Sequence, residues 1–381
     1  MKPILKRTIL LVISGTFVFY FFYPFSDPDS EYNEESIPSV SFPEAEKTAV
    51  FNIKNKIIYL DSASEKPEIP GNDHDIHSWY ARRSMNFSAD LYQAFIFDGM
   101  PFRMAYPYSY TGKGGKYPAI FVLHSQKETG GVYDNETQLI NGGKEHLDAI
   151  RKKQFNGFVI YPQIAGAWYE HHYDKLDRLI HILSDSLGLD VNRILVQGLS
   201  DGAKGAIQFA SKYPQAVAGT MLMHPSGGWG DTVNLAKMPM WVVLAGRSKV
   251  PARAWVEYEI GRLTYSGTPV KYTVYENYED EICKKVHRES EYFAFARKIH
   301  KANPVIHPLK TVFSKNEPVH LTLSLTSGFN KYQWRRNGVI IPGRQTNTLQ
   351  VTSIGKYDAR ILRSSDWSEW SPDPVIVHYD K

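Results

Sequence analysis

From about residue 90 to about residue 300 the chain alternates short apolar runs with longer amphipathic stretches. Residues 117–125 (YPAIFVLHS), 157–163 (GFVIYPQ), 193–198 (RILVQG), 219–225 (GTMLMHP), 240–246 (MWVVLAG) and 270–276 (VKYTVYE) are each almost continuously apolar. Such runs predict strands buried on both faces. Helix-length segments lie between them, at about 142–153, 173–187, 202–213, 252–265 and 288–301. Two earlier runs, AFIFDG and FRMAYPYSY, predict an opening hairpin. Strands separated by helices imply an α/β fold, a mostly parallel sheet with helices on both faces. Ligands of such sheets sit at the carboxyl ends of the strands.

Two other patterns flank this region. After the Pro-bearing segment 302–310 the period falls to two, in VHLTLSL, KYQWRRNGVII, TLQVTS, GKYDARILRS and PVIVHY. Turn signals at Asn337-Gly338, Pro342-Gly343 and Gly355 separate these segments, so a small all-β sandwich is expected. Trp334 is its expected core ring and Tyr357 its expected corner tyrosine, with a ladder of Trp367 and Trp370 against Arg335, Arg336, Arg360 or Arg363. At the other end, Lys2, Lys6 and Arg7 precede the uncharged run 8–25. That run is long enough to cross about 30 Å of hydrocarbon. The basic flank belongs inside and the acidic flank outside. No small-x-small cleavage signal follows, so an uncleaved signal anchor is expected, with secretion after cleavage as the alternative. The expected organisation is a signal anchor over 1–25, an acidic tether over 26–48, the α/β domain over 49–303 and the sandwich over 304–381.

Charge and cysteine content narrow the function classes. The net charge is +4 with no long Lys/Arg block, so nucleic acid is not an expected partner. The single cysteine, Cys283, excludes an intrachain disulfide and a Cys-based zinc site. Adjacent His171 and His172 would diverge by about 100° on a helix, and the glycines of TGKGG lack the rest of a phosphate loop, so no metal and no cofactor are expected.

The chemistry is concentrated in RILVQGLSDGAKGAIQFASKYP. A buried strand runs into Gly198-Leu199-Ser200-Asp201-Gly202 and then into a helix rich in small residues, the strand–turn–helix context of a G-x-S-x-G nucleophile elbow. The glycines remove side chains where strand and helix converge. The tight turn lifts the Ser200 hydroxyl above the sheet. Asp201 N–H, at the helix start, is the expected first oxyanion donor. The loop after strand 117–125, at His124-Ser125, is the expected source of the second, and Ser125 is assigned to it.

FDGMPFRMAYPYSYTGKGGKYPAIFVLHS together with GLSDGAKGAIQFASKYP resembles the esterase branch of the α/β hydrolases, which includes feruloyl esterases and polyhydroxybutyrate-depolymerase-like proteins. The resemblance spans roughly residues 90–300. It implies an α/β-hydrolase sheet, a Ser200 nucleophile, and an acid and a histidine following it in chain order. In the family the strand before the oxyanion loop ends His-Gly, whereas here it ends His124-Ser125. The family acid follows the strand that corresponds to 240–246, where this chain has Ser248 and Lys249. Asp231 is the substitute assigned, with Glu257 further on. The family histidine follows the last strand, where this chain has acidic residues including Asp280. His287 comes later and is assigned as the base, with His224 as a weaker candidate. The C-terminal unit resembles immunoglobulin-like or fibronectin-like modules of bacterial surface enzymes. Its Trp367-Ser368-Glu369-Trp370-Ser371 matches a cytokine-receptor pattern too short to carry an assignment.

These readings give a serine-dependent hydrolase of carboxylic esters, acting on a small-molecule or polymer ester. It would be membrane-anchored and face the periplasm or exterior, and its sandwich would meet a surface glycan or protein. The alternative is a catalytically degenerate hydrolase that binds a glycan, peptide or protein at the envelope. A peptidase of the prolyl-oligopeptidase kind is the third reading.

Overall fold

The computed structural model describes residues 91–381 except 113, 132–135, 232, 279–281, 308 and 381, together with four strand segments nearer the N-terminus, Arg7–Ile9, Tyr20–Phe21, Ile58–Tyr59 and Ile76–Tyr80. Of the expected signal anchor only fragments are described, as short strands, and the rest of it and the tether lie outside the described residues. Among the described residues no helix is long and apolar enough to cross a membrane.

Eight strands make the body of the main sheet: β1 (Gln93–Phe97), β2 (Met100–Ala105), β3 (Tyr117–Leu123), β4 (Phe158–Pro162), β5 (Leu189–Leu199), β6 (Gly219–Met223), β7 (Met240–Ala245) and β8 (Val270–Tyr275). Their order across the sheet is β1-β2-β4-β3-β5-β6-β7-β8. β1 and β2 form an antiparallel hairpin, β2 also runs antiparallel to β4, and the pairs from β4 onward are parallel. The hairpin turns at Asp98 and Gly99, both at positive φ, as a two-residue turn between right-twisted strands requires.

The apolar runs become strands because helices bury them from both sides. α2 (Glu170–Leu187), α3 (Asp201–Lys212) and α4 (Arg253–Tyr265) pack on one face, and α1 (Gly143–Arg151), α5 (Ile282–His287) and α6 (Ser290–Lys298) on the other. Alternate strand residues feed the two layers: Ile194 and Val196 of β5 join the first, Leu195 the second. β5 begins at Leu189, earlier than the apolar run suggested, because the polar segment Asp190–Arg193 sits at the lower edge of the sheet. There Lys301 N–H bonds Asn192 O at 2.9 Å.

The C-terminal strands form two small sheets. One runs β9 (Val305–His307), β11 (Leu321–Ser324), β14 (Thr348–Val351). The other runs β10 (Val312–Phe313), β17 (Val375–Tyr379), β15 (Gly355–Arg363), β12 (Lys331–Arg336), β13 (Val339–Ile340), with β16 (Asp366–Trp367) beside β15. Leu321, Leu323, Leu349, Trp334, Tyr357 and Ile361 share one core between the sheets. Trp334 is fully buried, with Nε1 donating to Thr346 O at 2.9 Å, and Tyr357 OH donates to Ser353 O at 2.8 Å. Arg335 lies over Trp370, and Arg360 over both Trp367 and Trp370. Arg363 leaves the ladder for Phe329 and the lower edge of the main sheet.

Candidate active site

The elbow sits where β5 meets α3. Ser200 holds φ +54° and ψ −113°, a conformation that side-chain-bearing residues adopt only when their surroundings force it. Two glycines make that possible. A Cβ on Gly202 would lie 2.0 Å from Leu123 O, and one on Gly198 would lie 2.2 Å from the carbonyl carbon of Gly202. The turn is pinned by Ser200 N–H to Met223 O at 2.9 Å, and Ser200 O accepts the N–H groups of Ala203 and Lys204. Ser200 is half-buried, and its hydroxyl has no hydrogen-bond partner among the described residues.

Asp201 N–H, the first of α3, makes no hydrogen bond among the described residues, so it is available to an oxyanion. The Asp201 carboxylate turns away, to Trp168 N–H at 3.4 Å. The second expected donor needs correction. Ser125 N–H donates to Glu128 Oε2 at 2.9 Å, and the Ser125 hydroxyl bonds the same oxygen. Ser125 is the N-cap of a short 3₁₀ turn, Gln126–Glu128, and Glu128 closes a capping box around it. The N–H left without a partner is that of the next residue, Gln126. The S-x-x-E spacing at 125–128 carried this signal in the sequence.

The structure does not bring His287 to Ser200. His287 is fully buried on the α1/α6 face of the sheet, with ring centroids 4.6 Å from His146 and 4.7 Å from Tyr292. Gln197 Nε2 lies 3.1 Å from His287 Nε2. Whichever way the amide and the imidazole tautomer are set, this nitrogen is engaged by Gln197 rather than by Ser200. Burial, and then His146 beside it, hold the imidazole well below its ordinary pKa. A Cβ on Gly142 would fall 2.3 Å from His287 Nδ1, so that glycine is what lets the ring lie there.

The other imidazoles near the strand ends are likewise engaged. Ile164 N–H donates to His124 Nε2 at 3.0 Å, and His124 Nδ1 lies 2.8 Å from Ser125 O. Ala245 N–H donates to His224 Nε2 at 2.9 Å. Each ring therefore ties loops together through Nε2.

Asp231 does not reach the site either. Its carboxylate is exposed and accepts Val233 N–H at 2.9 Å, and its carbonyl accepts Ser211 Oγ at 3.0 Å. Ser211 is near the far end of α3, about 16 Å along the helix from Ser200 at about 1.5 Å per residue. Glu257 pairs with Arg253 at 2.9 Å on the surface of α4. In the loop after β7, Ser248 Oγ donates to Val250 O at 2.9 Å and no carboxylate intervenes. Asp280 lies outside the described residues. No group of three or more His, Cys, Asp or Glu among the described residues is arranged to hold a metal ion.

No protein-family model matches the chain, and no curated protein matches it. Solved structures do. A thermostable esterase aligns over 56% of this chain with 21% identity and a TM-score of 0.50. The match spans 64% of that esterase's own length. A ferulic acid esterase aligns over 52% of this chain and 88% of its own, with 14% identity and a TM-score of 0.40. An S-formylglutathione hydrolase from Agrobacterium tumefaciens aligns over 59% of this chain and 95% of its own, with 12% identity and a TM-score of 0.41. The first of these likenesses establishes a shared fold: the large, mostly parallel sheet with helices on both faces is that of the thermostable esterase.

Proposed function

We propose that this chain is a serine-dependent hydrolase of carboxylic esters, held at the cell envelope by its N-terminal apolar segment. Ser200 is the nucleophile, and the N–H groups of Asp201 and Gln126 are the oxyanion donors. The observation that carries this reading is the strained Ser200 backbone, which presents a free hydroxyl at the start of α3 beside an unbonded N–H. In this scheme Ser200 Oγ attacks the ester carbonyl, and the carbonyl oxygen takes up negative charge between the two donors. The alcohol then leaves with the proton that the Ser200 hydroxyl gives up, and water cleaves the acyl-Ser200 ester, releasing the acid and returning a proton to Oγ. The C-terminal sandwich is an immunoglobulin-like module that positions the hydrolase domain; its strand order and the parallel pairing of β10 with β17 support that assignment.

A second reading rests on a specific observation: no described imidazole bonds Ser200, and the Nε2 atoms of His124, His224 and His287 are all occupied. A hydroxyl without a base is a weak nucleophile. On this reading the elbow is retained in an envelope binding protein for a glycan, peptide or protein.

Labelling of the full chain in detergent by a fluorophosphonate probe separates the two. The hydrolase reading expects labelling that Ser200→Ala abolishes. If His287→Gln also abolishes it, His287 is the base after rearrangement. If labelling survives, the base lies elsewhere. A folded wild type that no ester and no probe engages would leave the binding protein.

A further inference from the structure

The end of the sandwich remote from the main sheet carries exposed apolar and basic side chains together. β12 starts near the joint with the hydrolase domain and runs outward to Arg336, and β15 runs back from Gly355 to Arg363, which touches Asn192 at the lower edge of the main sheet. The Asn337-Gly338 turn and the 352–354 turn therefore lie together at the outer end. Three large apolar side chains are exposed there: Val339 at 71%, Ile340 at 45% and Ile354 at 41%. From residue 336 to residue 357 there is no Asp or Glu, while Arg336, Arg344 and Lys356 are all exposed. Arg336 and Arg344 line a cavity of about 520 Å³ with Asn337, Gln350 and Tyr357, and neither makes an ion pair among the described residues. Arg335, one position along β12, points to the opposite face and is satisfied by Asp358 and Trp370.

We infer that this outer end is a docking surface for an anionic lipid bilayer. Aliphatic side chains at a hairpin tip lose their contact with water by entering the acyl boundary. Guanidinium groups beside them stay at the depth of the lipid phosphates, their stems lying along the apolar side chains. The cavity between Arg336 and Arg344 accepts a phosphate headgroup. A soluble polyanion would satisfy the two arginines but leave Val339, Ile340 and Ile354 in water, so charge and apolar exposure together select the lipid surface. Because the sandwich is fixed below the sheet, docking would turn the Ser200 end of the hydrolase domain away from the bilayer. The inference does not depend on Ser200 being catalytic.

The N-terminal apolar segment is itself expected to bind membranes, so the test reads one position rather than total binding. The full chain carries an environment-sensitive NBD fluorophore on Val339→Cys, and buried Cys283 stays unlabelled. It is added to phosphatidylcholine vesicles with and without phosphatidylglycerol. A blue shift and intensity rise are expected only when phosphatidylglycerol is present. The same label on Lys249→Cys, at the Ser200 end, should not respond. R336Q combined with R344Q should weaken the response roughly thirtyfold, since each basic residue near an anionic surface contributes about 1 kcal/mol. A second label on Ile354→Cys guards against a probe that disturbs the β12–β13 hairpin. Silence of both labels, an equal response without phosphatidylglycerol, or a response to soluble alginate but not to vesicles would each overturn the proposal.

Discussion

Ser200 is held in a backbone conformation that costs roughly 1–3 kcal/mol for a residue with a Cβ. Glycine has no such penalty, so Ser200→Gly should stabilise the fold by about 1 kcal/mol, a rise in Tm of about 2–4 °C for a domain of this size. Ser200→Ala keeps the Cβ, and with it the strain, and removes a hydroxyl that bonds no described residue, so Tm should stay within about 1 °C. Equal Tm for the two variants in thermal unfolding would remove strain from the account of the elbow. Gly202 behaves in the opposite sense. An added Cβ meets backbone oxygen at 2.0 Å, not a side chain that can swing away. Gly202→Ala should therefore cost about 3 kcal/mol or more, measured in urea. These residues were legible in the sequence because the motif is local: strand, glycine, serine, glycine, helix. His287 and Asp231 were not. Their places depend on which face the chain crosses after β8 and on where the loop after β6 runs, and neither path has a periodicity that a sequence could record. Ser125 N–H is taken up locally, because the N-cap's own N–H is consumed when the capping box closes, while that of Gln126 stays free.

The strands and helices of the main sheet were legible to within a few residues, since burial on two faces forces continuous apolar runs. α5 was not anticipated; ICKKVH is short and carries two lysines, and it forms a helix because Ile282, Cys283, Val286 and His287 all pack inward. The layer it joins contains a dense set of aromatic and imidazole rings. His146 Nε2 lies 2.6 Å from Tyr292 OH and its Nδ1 2.7 Å from Tyr161 OH. Burial brings the His146 pKa down to about 3, with the hydrogen bond from its Nδ1 to Gly142 O opposing it, and burial also depresses His287 strongly. Both are neutral when folded and take up protons once unfolded, at about pH 6.5. Their contribution is thus fully present above about pH 6.5 and is lost as pH falls below it toward the folded pKa values, at up to about 1.4 kcal/mol per unit for each ring. Stability in urea should fall between pH 7 and pH 5. His287→Leu should lose about 2 kcal/mol less than the wild type over that interval, whatever it costs at pH 7. Parallel curves for the two proteins would show that His287 ionises as freely when folded as when unfolded.

The α/β domain and the sandwich are joined by buried and half-buried polar groups rather than by a loose linker. Arg363 donates from Nε to Asn192 Oδ1 at 2.6 Å and from Nη2 to Gln215 O at 2.5 Å, and lies 4.6 Å over the Phe329 ring. Lys301 is fully buried, with Nζ bonded to Pro214 O and, at 3.3 Å, to Thr326 Oγ1. Ser371 Oγ donates to Asn303 Oδ1 at 2.8 Å from the sandwich side. Burial pushes the Arg363 pKa down to about 10, which still leaves it charged at neutral pH. Every acceptor that Arg363 serves belongs to the α/β domain, near the start of β5 or just after α3, some 25 Å from Ser200 at about 3.3 Å per strand residue. Arg363→Ala strands these acceptors and removes the cation over Phe329. Losing the hydrogen bonds of a partly buried charged donor costs about 1.5–3 kcal/mol, and here the cost falls on the joint rather than on either core. The variant should show two transitions in calorimetry where the wild type shows one, because the α/β core loses nothing and the sandwich loses only the cation over Phe329. Fluorophosphonate labelling of Ser200, if present in the wild type, should persist, since the elbow sits at the other end of β5. A single transition at an unchanged Tm would mean that the apolar surface at the joint couples the two parts by itself. Loss of labelling would mean that the joint communicates along β5 to the elbow.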